Sequence, residues 1–152
     1  MPEEINRLIT DQLAELLLTP STDGDQHLMA EGRPPEAIHF VGNVMIDTLV
    51  RSIEHATPPA VDLPDKYVLV TLHRPSNVDD SGGLAELIGA LLEIGATVPV
   101  IFPVHPRTRK YLSEIGFSGT ANLRLIDPVG YLQFLYLQKH AAAVVTDSGG
   151  IQ

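Results

Sequence analysis

The second half of the chain alternates short, continuous apolar segments with segments of helical periodicity. The apolar segments are YVLVT (67–71), VPVIF (98–102), LRLI (123–126) and AAVV (142–145). The helical segments between them are Leu84–Leu92, TRKYLSEIG (108–116) and YLQFLYLQKH (131–140). Continuous apolar strands separated by helices are typical of a parallel sheet that is covered on both faces. The sequence therefore predicts an α/β fold with a Rossmann-like, doubly wound parallel sheet.

The first half of the chain has shorter elements and no clear core. We predict an amphipathic helix within the first twenty residues, strands at LLLTPS and IHFVGN, and helices at DQHLMAEG (closed by Gly32) and VMIDTLVRSIEHA. These elements are too few to bury a separate core. The segment TPPAVDLPDK (57–66) has three prolines and no apolar periodicity, which indicates a linker. We therefore divide the chain into 1–56, a linker at 57–66, and 67–152. Because TDSGGIQ ends where a helix should begin, we expect an internal fragment of a larger protein.

The composition excludes several classes of function. The chain has ten Lys and Arg residues and nineteen Asp and Glu residues, which give a net charge of −9, and it has no cysteine. A nucleic-acid binder would need a basic face, and disulfides, thiol catalysis and cysteine metal sites need cysteine. No apolar run is as long as the about 18 residues that a membrane span needs. The N-terminal sequence MPEEINR does not have the basic and then apolar pattern of a leader peptide. We expect a cytoplasmic protein without nucleic-acid or membrane partners, although a local positive pocket can still bind an anion.

Candidate ligand-binding residues follow the predicted strands, where parallel sheets bind their ligands. The Thr-Asp-Ser-Gly-Gly turn (146–150) suits a phosphate, because its glycines allow close approach and a following helix would offer free N–H groups. A plain tight turn is the alternative. His73–Arg74 and His105–Arg107 also follow strands, and each is either an anion ligand or a solvated loop. No close cluster such as HExxH favours a metal site.

The other titratable residues have structural explanations on pattern alone. Glu3 and Glu4 stand at the start of the first helix, where acids complement the helix dipole. Nothing local distinguishes them as catalytic. The remaining histidines lie within or at the ends of elements, where a solvated or satisfied side chain is expected; they are His27, His39, His55 and His140.

An ordered set of motifs resembles one enzyme family. PEEINR (2–7), VGNVMIDTL (41–49), TLHRPSN (71–77), PVHPRT (103–108), DPVGYLQFLYL (127–137) and TDSGGIQ (146–152) occur in this order. Together they resemble the bacterial non-hydrolysing UDP-N-acetylglucosamine 2-epimerases, over essentially the whole chain. Each motif alone is weak, whereas the ordered set is specific.

The resemblance implies a fold and a reaction. The expected fold has two Rossmann-like domains of glycosyltransferase-B type, with the UDP-sugar in the cleft between them. Residues 1–56 would then end the N-terminal domain, and 67–152 would form most of the C-terminal, UDP-binding domain. The implied reaction interconverts UDP-N-acetylglucosamine and UDP-N-acetylmannosamine by elimination and re-addition of UDP. No metal or organic cofactor is implied. A homodimer and a place in cell-surface polysaccharide synthesis are further expectations.

The resemblance also implies residue roles. Glu3 matches an acid/base carboxylate, and His73 matches an active-site histidine near the leaving diphosphate. The implied UDP-binding residues are Phe134, Ser148, Gly149 and Gly150. Arg74 and His105 resemble positions of a second, regulatory UDP-N-acetylglucosamine site. The usual acid of the HRxEN loop is replaced by Ser76, which weakens the case for that regulatory site.

Three interpretations of function remain open on the sequence. The first is the non-hydrolysing epimerase, present as a fragment that we expect to be inactive alone. A hydrolysing relative that releases UDP and N-acetylmannosamine is the second, since the local motifs do not separate the two. The third is a non-catalytic nucleotide-sugar-binding remnant.

Overall fold

The computed structural model describes residues 2–72, 74, 77 and 81–151, and for Ser81 the backbone alone. The chain divides into two compact units, Met1–Ser52 and Ile53–Gln152. Each unit has its own parallel sheet, and they are described separately below.

The first unit is built on two short parallel strands, β1 (Leu17–Thr19) and β2 (Ile38–Phe40). Around them lie helices α1 (Pro2–Leu13), α2 (Thr22–Ala30) and α3 (Val44–Ile53), with a 3-10 turn at Pro35–Ala37. The local sequence explains these boundaries. Ser21 caps α2 by accepting a hydrogen bond from the N–H of Gly24. Gly32 follows α2 with a φ of +86°, a left-handed conformation that favours glycine, as predicted.

Most apolar side chains of the first unit remain exposed. Among its described residues only Leu17 and Leu28 are buried apolar side chains. The apolar stripe of α1 is open, with Leu13 79% exposed, and Phe40 of β2 is 60% exposed. The described residues of this unit therefore bury few apolar side chains of their own.

The second unit is a four-stranded, wholly parallel sheet. Its strands are β3 (Val68–Thr71), β4 (Val100–Pro103), β5 (Leu123–Ile126) and β6 (Ala143–Thr146). The spatial order is β5-β4-β3-β6, so the chain moves in one direction from β3 to β5 and then crosses back to place β6 beside β3. This reversal is the doubly wound topology that the strand pattern predicts, and the predicted α/β class is confirmed.

Helices cover both faces of this sheet. They are α4 (Ser81–Gly95), α5 (Pro106–Glu114) and α6 (Tyr131–His140). One face of the sheet, with residues such as Val70 and Phe102, packs against α4 and α5. The alternate residues, such as Leu69 and Ile101, pack with Leu137 of α6. Strands β3 and β4 are therefore buried on both sides, whereas in β6, at the edge, Ala143 is exposed and the other side chains are partly buried.

Candidate functional site at the carboxyl edge of the second sheet

The four strands of the second sheet end level with one another. In the register of the sheet, Thr71 pairs with Thr146, and Pro103 pairs with Ile126. The segments that follow the strands therefore meet at one edge. The strand order reverses between β3 and β6, and such a switch point opens a crevice where parallel α/β sheets bind ligands. The segments after β3 and β6 flank this crevice.

The turn after β6 has the open geometry that a phosphate ligand needs. The N–H of Ser148 donates to the hydroxyl of Thr146 at 3.0 Å, and the N–H of Ile151 donates to the carbonyl of Ser148 at 3.3 Å. Gly149 and Gly150 are exposed. Among the described residues, a Cβ added at Gly149 would meet no atom within 4 Å, so within that part of the chain the space beside this residue is free. Residues 149–151 form a turn.

Asp147 connects the two segments that flank the crevice. Its Oδ2 atom accepts hydrogen bonds from the backbone N–H of Arg74 at 2.9 Å and from the side-chain amide of Asn77 at 3.0 Å. The half-buried carboxylate thus links the segment after β3 to the turn after β6. The sequence patterns gave Asp147 no role. In the sequence, the one sign that Asp147 could matter is its position between a predicted strand and the Ser-Gly-Gly turn.

The two segments after β3 and β4 are only partly described. Arg74 is exposed and lies at the switch point, whereas His73 and Ser76 lie outside the described residues. His105 follows β4, on the other side of β3 from β6, and caps α5: its Nδ1 accepts from the N–H of Arg107 at 3.3 Å. This use of Nδ1 places the ring proton of a neutral His105 on Nε2.

Phe134 lies on α6, the helix that follows β5. Its ring is half-buried and packs against the cluster that includes Tyr67, Ile126 and Leu137. The first turn of α6 is held by a hydrogen bond from the N–H of Gly130 to Oε1 of Gln133, at 3.2 Å. The N-terminus of α6 points to the carboxyl edge because the helix follows the end of β5. Phe134 therefore has both an anchored side and an exposed side near this edge.

Glu3 and Glu4 lie in the first turn of α1, in the other unit, and their environments differ. The carboxylate of Glu4 accepts two hydrogen bonds from the guanidinium of Arg7, at 3.1 and 2.7 Å. The Arg7 guanidinium holds the pKa of Glu4 below its ordinary value, and it lowers the pKa of Glu31 in the same way. Glu3 is exposed, and within the described part of the chain its carboxylate has no hydrogen bond or ion pair.

Two further structural observations bear on the class of site. Among the described residues, no three His, Asp or Glu side chains come together as a metal site would require. Within the same residues, each helix is too short or too polar to cross a bilayer.

The fold and the carboxyl-edge crevice place the chain among the Rossmann-like parallel α/β proteins. The sequence profile described as UDP-N-acetylglucosamine 2-epimerase matches residues 1–152. The chain belongs to the UDP-N-acetylglucosamine 2-epimerase family, and the recognition made from its motifs is confirmed.

Individual relatives agree with this assignment. The chain is 37% identical over 166 residues to the UDP-N-acetylglucosamine 2-epimerase of Methanococcus maripaludis, with all of the chain and 45% of that protein aligned. It is 41% identical over 156 residues to the UDP-2,3-diacetamido-2,3-dideoxy-D-glucuronate 2-epimerase of Pseudomonas aeruginosa, again with all of the chain and with 44% of that protein.

Solved structures of the Methanocaldococcus jannaschii UDP-GlcNAc 2-epimerase are similar in fold. One superposes with a TM-score of 0.85 at 36% identity and covers 99% of this chain and 46% of that one. Another, in complex with UDP-GlcNAc and UDP, gives a TM-score of 0.79 at 36% identity over 99% of this chain and 45% of that one. These relatives have the glycosyltransferase-B-like fold. The chain spans less than half the length of the relatives that it matches.

Proposed function

We propose that the polypeptide containing this chain is a UDP-N-acetylglucosamine 2-epimerase, which interconverts UDP-N-acetylglucosamine and UDP-N-acetylmannosamine. The observation that carries the proposal is the open Ser148–Gly150 turn at the switch point of a sheet whose chain belongs to this family. A similar structure holds UDP-GlcNAc and UDP. We assign the activity to the intact natural polypeptide, since these 152 residues align to 45% of a relative.

The substrate is held, in this proposal, by the carboxyl edge of the second sheet. The backbone N–H groups of Gly149 and Gly150 and the hydroxyl of Ser148 bind the diphosphate, and the free space beside Gly149 supports a close approach of phosphate oxygens. Phe134 packs against the uracil with its exposed side, while its other side is anchored in the core. Aromatic rings suit this task because a nucleobase offers a flat apolar face.

The proposed chemistry is elimination followed by re-addition. A base removes the proton from C2 of the sugar, the C1–O bond breaks, and its electron pair leaves with the β-phosphate oxygen of UDP. The remaining 2-acetamidoglucal has a C1=C2 double bond. A proton then returns to the opposite face of C2, and the UDP oxygen re-forms its bond to C1. We give Glu3 an acid/base role, because its carboxylate is unpaired within the described residues. We give His73 the role of stabilising the departing diphosphate.

Two further roles belong to the same proposal. Arg74 and His105 are candidates for a second, regulatory UDP-N-acetylglucosamine site, and both lie at the carboxyl edge. We also propose that the protein is cytoplasmic, acts as a homodimer, needs no cofactor and supplies cell-surface polysaccharide synthesis.

The relatives suggest one alternative substrate. The Pseudomonas relative is named as a 2-epimerase of UDP-2,3-diacetamido-2,3-dideoxy-D-glucuronate, and it is 41% identical to this chain. That substrate shares UDP and reaction at C2 with UDP-N-acetylglucosamine. The two candidates are therefore distinguished by assay and not by the diphosphate site.

The test is a proton-exchange assay with the intact natural polypeptide in D₂O. Proton NMR should show deuterium entering C2 of UDP-N-acetylglucosamine while UDP-N-acetylmannosamine appears and free sugar does not. Free N-acetylmannosamine would favour the hydrolysing alternative. Turnover of the diacetamido-glucuronate alone would favour the other substrate, and UDP binding without exchange would favour a non-catalytic remnant.

A further inference from the structure

The crevice between β3 and β6 is bridged by one carboxylate oxygen. Oδ2 of Asp147 accepts both the backbone N–H of Arg74, at 2.9 Å, and the side-chain amide of Asn77, at 3.0 Å. Along the chain, Arg74 is 73 residues from Asp147 and Asn77 is 70 residues from it. The paired residues of β3 and β6 end at Thr71 and Thr146. Asp147 is therefore a tertiary link that extends the sheet contact past its last paired residues.

An acidic side chain beside a diphosphate turn needs an explanation. A free carboxylate next to Ser148 would repel a diphosphate, because like charges at short range disfavour one another. In this structure the oxygen of Asp147 is engaged with two N–H donors of the opposite segment. Hydrogen bonds to a charged acceptor are about twice as strong as neutral ones, so the charge strengthens the link.

We propose that Asp147 is a positioning residue, which fixes Arg74 and Asn77, in the segment after β3, relative to the Ser148–Gly150 turn. His73, to which we gave a catalytic role, directly precedes Arg74 in the sequence, so turnover should depend on this link. The inference rests on the proposed function, because it needs a diphosphate in the turn. Asp147 itself transfers no proton and touches no reacting atom. Its effect is on orientation, to which turnover is sensitive: displacement of a catalytic group by about 1 Å can cost about 10²-fold.

The test compares variants of the intact natural polypeptide. Asp147→Ala removes the accepting oxygen and should lower kcat by about 10²-fold. Because a single oxygen accepts both hydrogen bonds, Asp147→Asn can present its amide oxygen to the same donors, and it should recover most of the lost turnover. Asn77→Ala removes one of the two donors and should have an intermediate effect. The KM for UDP-N-acetylglucosamine and the affinity for UDP should change by less than about threefold.

A matched control separates this effect from loss of an acidic charge. Asp62 has a side chain 99% exposed and its carboxylate lies 3.9 Å from Arg124, so Asp62→Asn removes a charge in the same unit without touching the crevice. It should leave kcat unchanged. Normal turnover in Asp147→Ala would overturn the inference, and so would an equal fall in UDP affinity, which would make Asp147 a structural support of the turn.

A second readout does not depend on activity. Hydrogen exchange at the amide of Arg74 should be slower in the wild type than in Asp147→Ala, because the carboxylate protects that N–H. If the wild type turns over no UDP-sugar, the proposed function fails whatever this exchange shows. If the wild type turns over and Asp147→Ala exchanges Arg74 no faster, the link itself is refuted.

Discussion

The hydroxyl of Tyr67 donates a 2.8 Å hydrogen bond to the backbone carbonyl of Leu137, and both residues are buried. This bond joins the residue that precedes β3 to helix α6, across 70 residues of the chain. The same carbonyl also accepts the N–H of Ala141, so it keeps one partner when the hydroxyl is removed. The apolar face beneath α6 therefore contains one satisfied polar contact that orients the helix carrying Phe134.

Tyr67→Phe should cost about 1 kcal/mol of unfolding free energy near neutral pH, because one buried hydrogen bond is lost. The cost should fall in alkali. Burial raises the pKa of Tyr67 to about 12 from an ordinary value of 10.0, with a smaller contribution from Tyr136. The folded state thus favours the protonated phenol, and this contribution is complete below pH 10 and lost as the pH rises towards 12.

The measurement is urea unfolding of wild type and Tyr67→Phe between pH 8 and 12. The stability difference should be constant up to about pH 10 and shrink above it. Tyr131→Phe, at a residue that is 54% exposed, serves as the control and should show no such trend. A difference that stays constant to pH 12 would contradict the assignment.

Gly149→Val should weaken UDP binding by about 1–3 kcal/mol, because the side chain would occupy the space through which phosphate oxygens reach the backbone N–H groups. Gly149→Ala should have a smaller effect in the same direction. The added Cβ meets no atom of the described residues within 4 Å, so the fold should be preserved. Calorimetric titration with UDP measures the loss. Gly89→Ala, at another glycine with open space, should bind UDP as the wild type does.

Glu3→Gln should reduce deuterium incorporation at C2 of UDP-N-acetylglucosamine by at least about 10²-fold, because an amide cannot exchange the proton. The control is Glu36→Gln, which neutralises an exposed acid in the 3-10 turn Pro35–Ala37 of the same unit. Proton NMR in D₂O, with the intact natural polypeptide, gives both rates. Equal rates in wild type and Glu3→Gln would remove Glu3 from the chemistry.

Phe102→Ala should destabilise the chain by about 3–5 kcal/mol, as expected for truncation of a fully buried phenylalanine. Phe102 is 0% exposed in the centre of the sheet, whereas Phe40 is 60% exposed on β2. Phe40→Ala should therefore cost less than about 0.5 kcal/mol in the same chain. Urea unfolding followed by circular dichroism compares the two. Similar losses for both variants would mean that Phe40 is buried in solution.

The strands of the second unit could be predicted because each is apolar on both faces. LRLI (123–126) and YLQFLYLQKH (131–140) match their observed bounds, since Asn122 and Asp127 flank the strand and Gly130 precedes the helix. The predicted strand at 98–102 is observed at Val100–Pro103, shifted because Pro99 offers no N–H to the ladder. The spatial order of strands depends on tertiary pairing, and periodicity alone does not give which strand lies beside β3.

The candidate site was predicted where local chemistry is distinctive and missed where it is not. The turn at Ser148–Gly150 could be anticipated because a glycine pair directly follows a strand, and its phosphate-binding role remains a prediction. Asp147 could not, because its function depends on an Arg74 backbone N–H that no side-chain pattern reveals. The roles of Glu3, Phe134 and His105 remain predictions. His73 and Ser76 lie outside the described residues, so the geometry of the HRPSN loop stays open to experiment.

The sparse burial of the first unit has a calorimetric consequence. Exposure of apolar surface raises the heat capacity on unfolding, by about 0.45 cal/mol/K for each Å². Leu17 and Leu28 are the buried apolar side chains among the described residues of Met1–Ser52, so melting of this unit exposes little new apolar surface. The heat-capacity step of the isolated chain should come almost entirely from β3–β6 and their helices. The first unit should therefore unfold with only a small heat-capacity change, at a temperature well below that at which the four-stranded sheet unfolds.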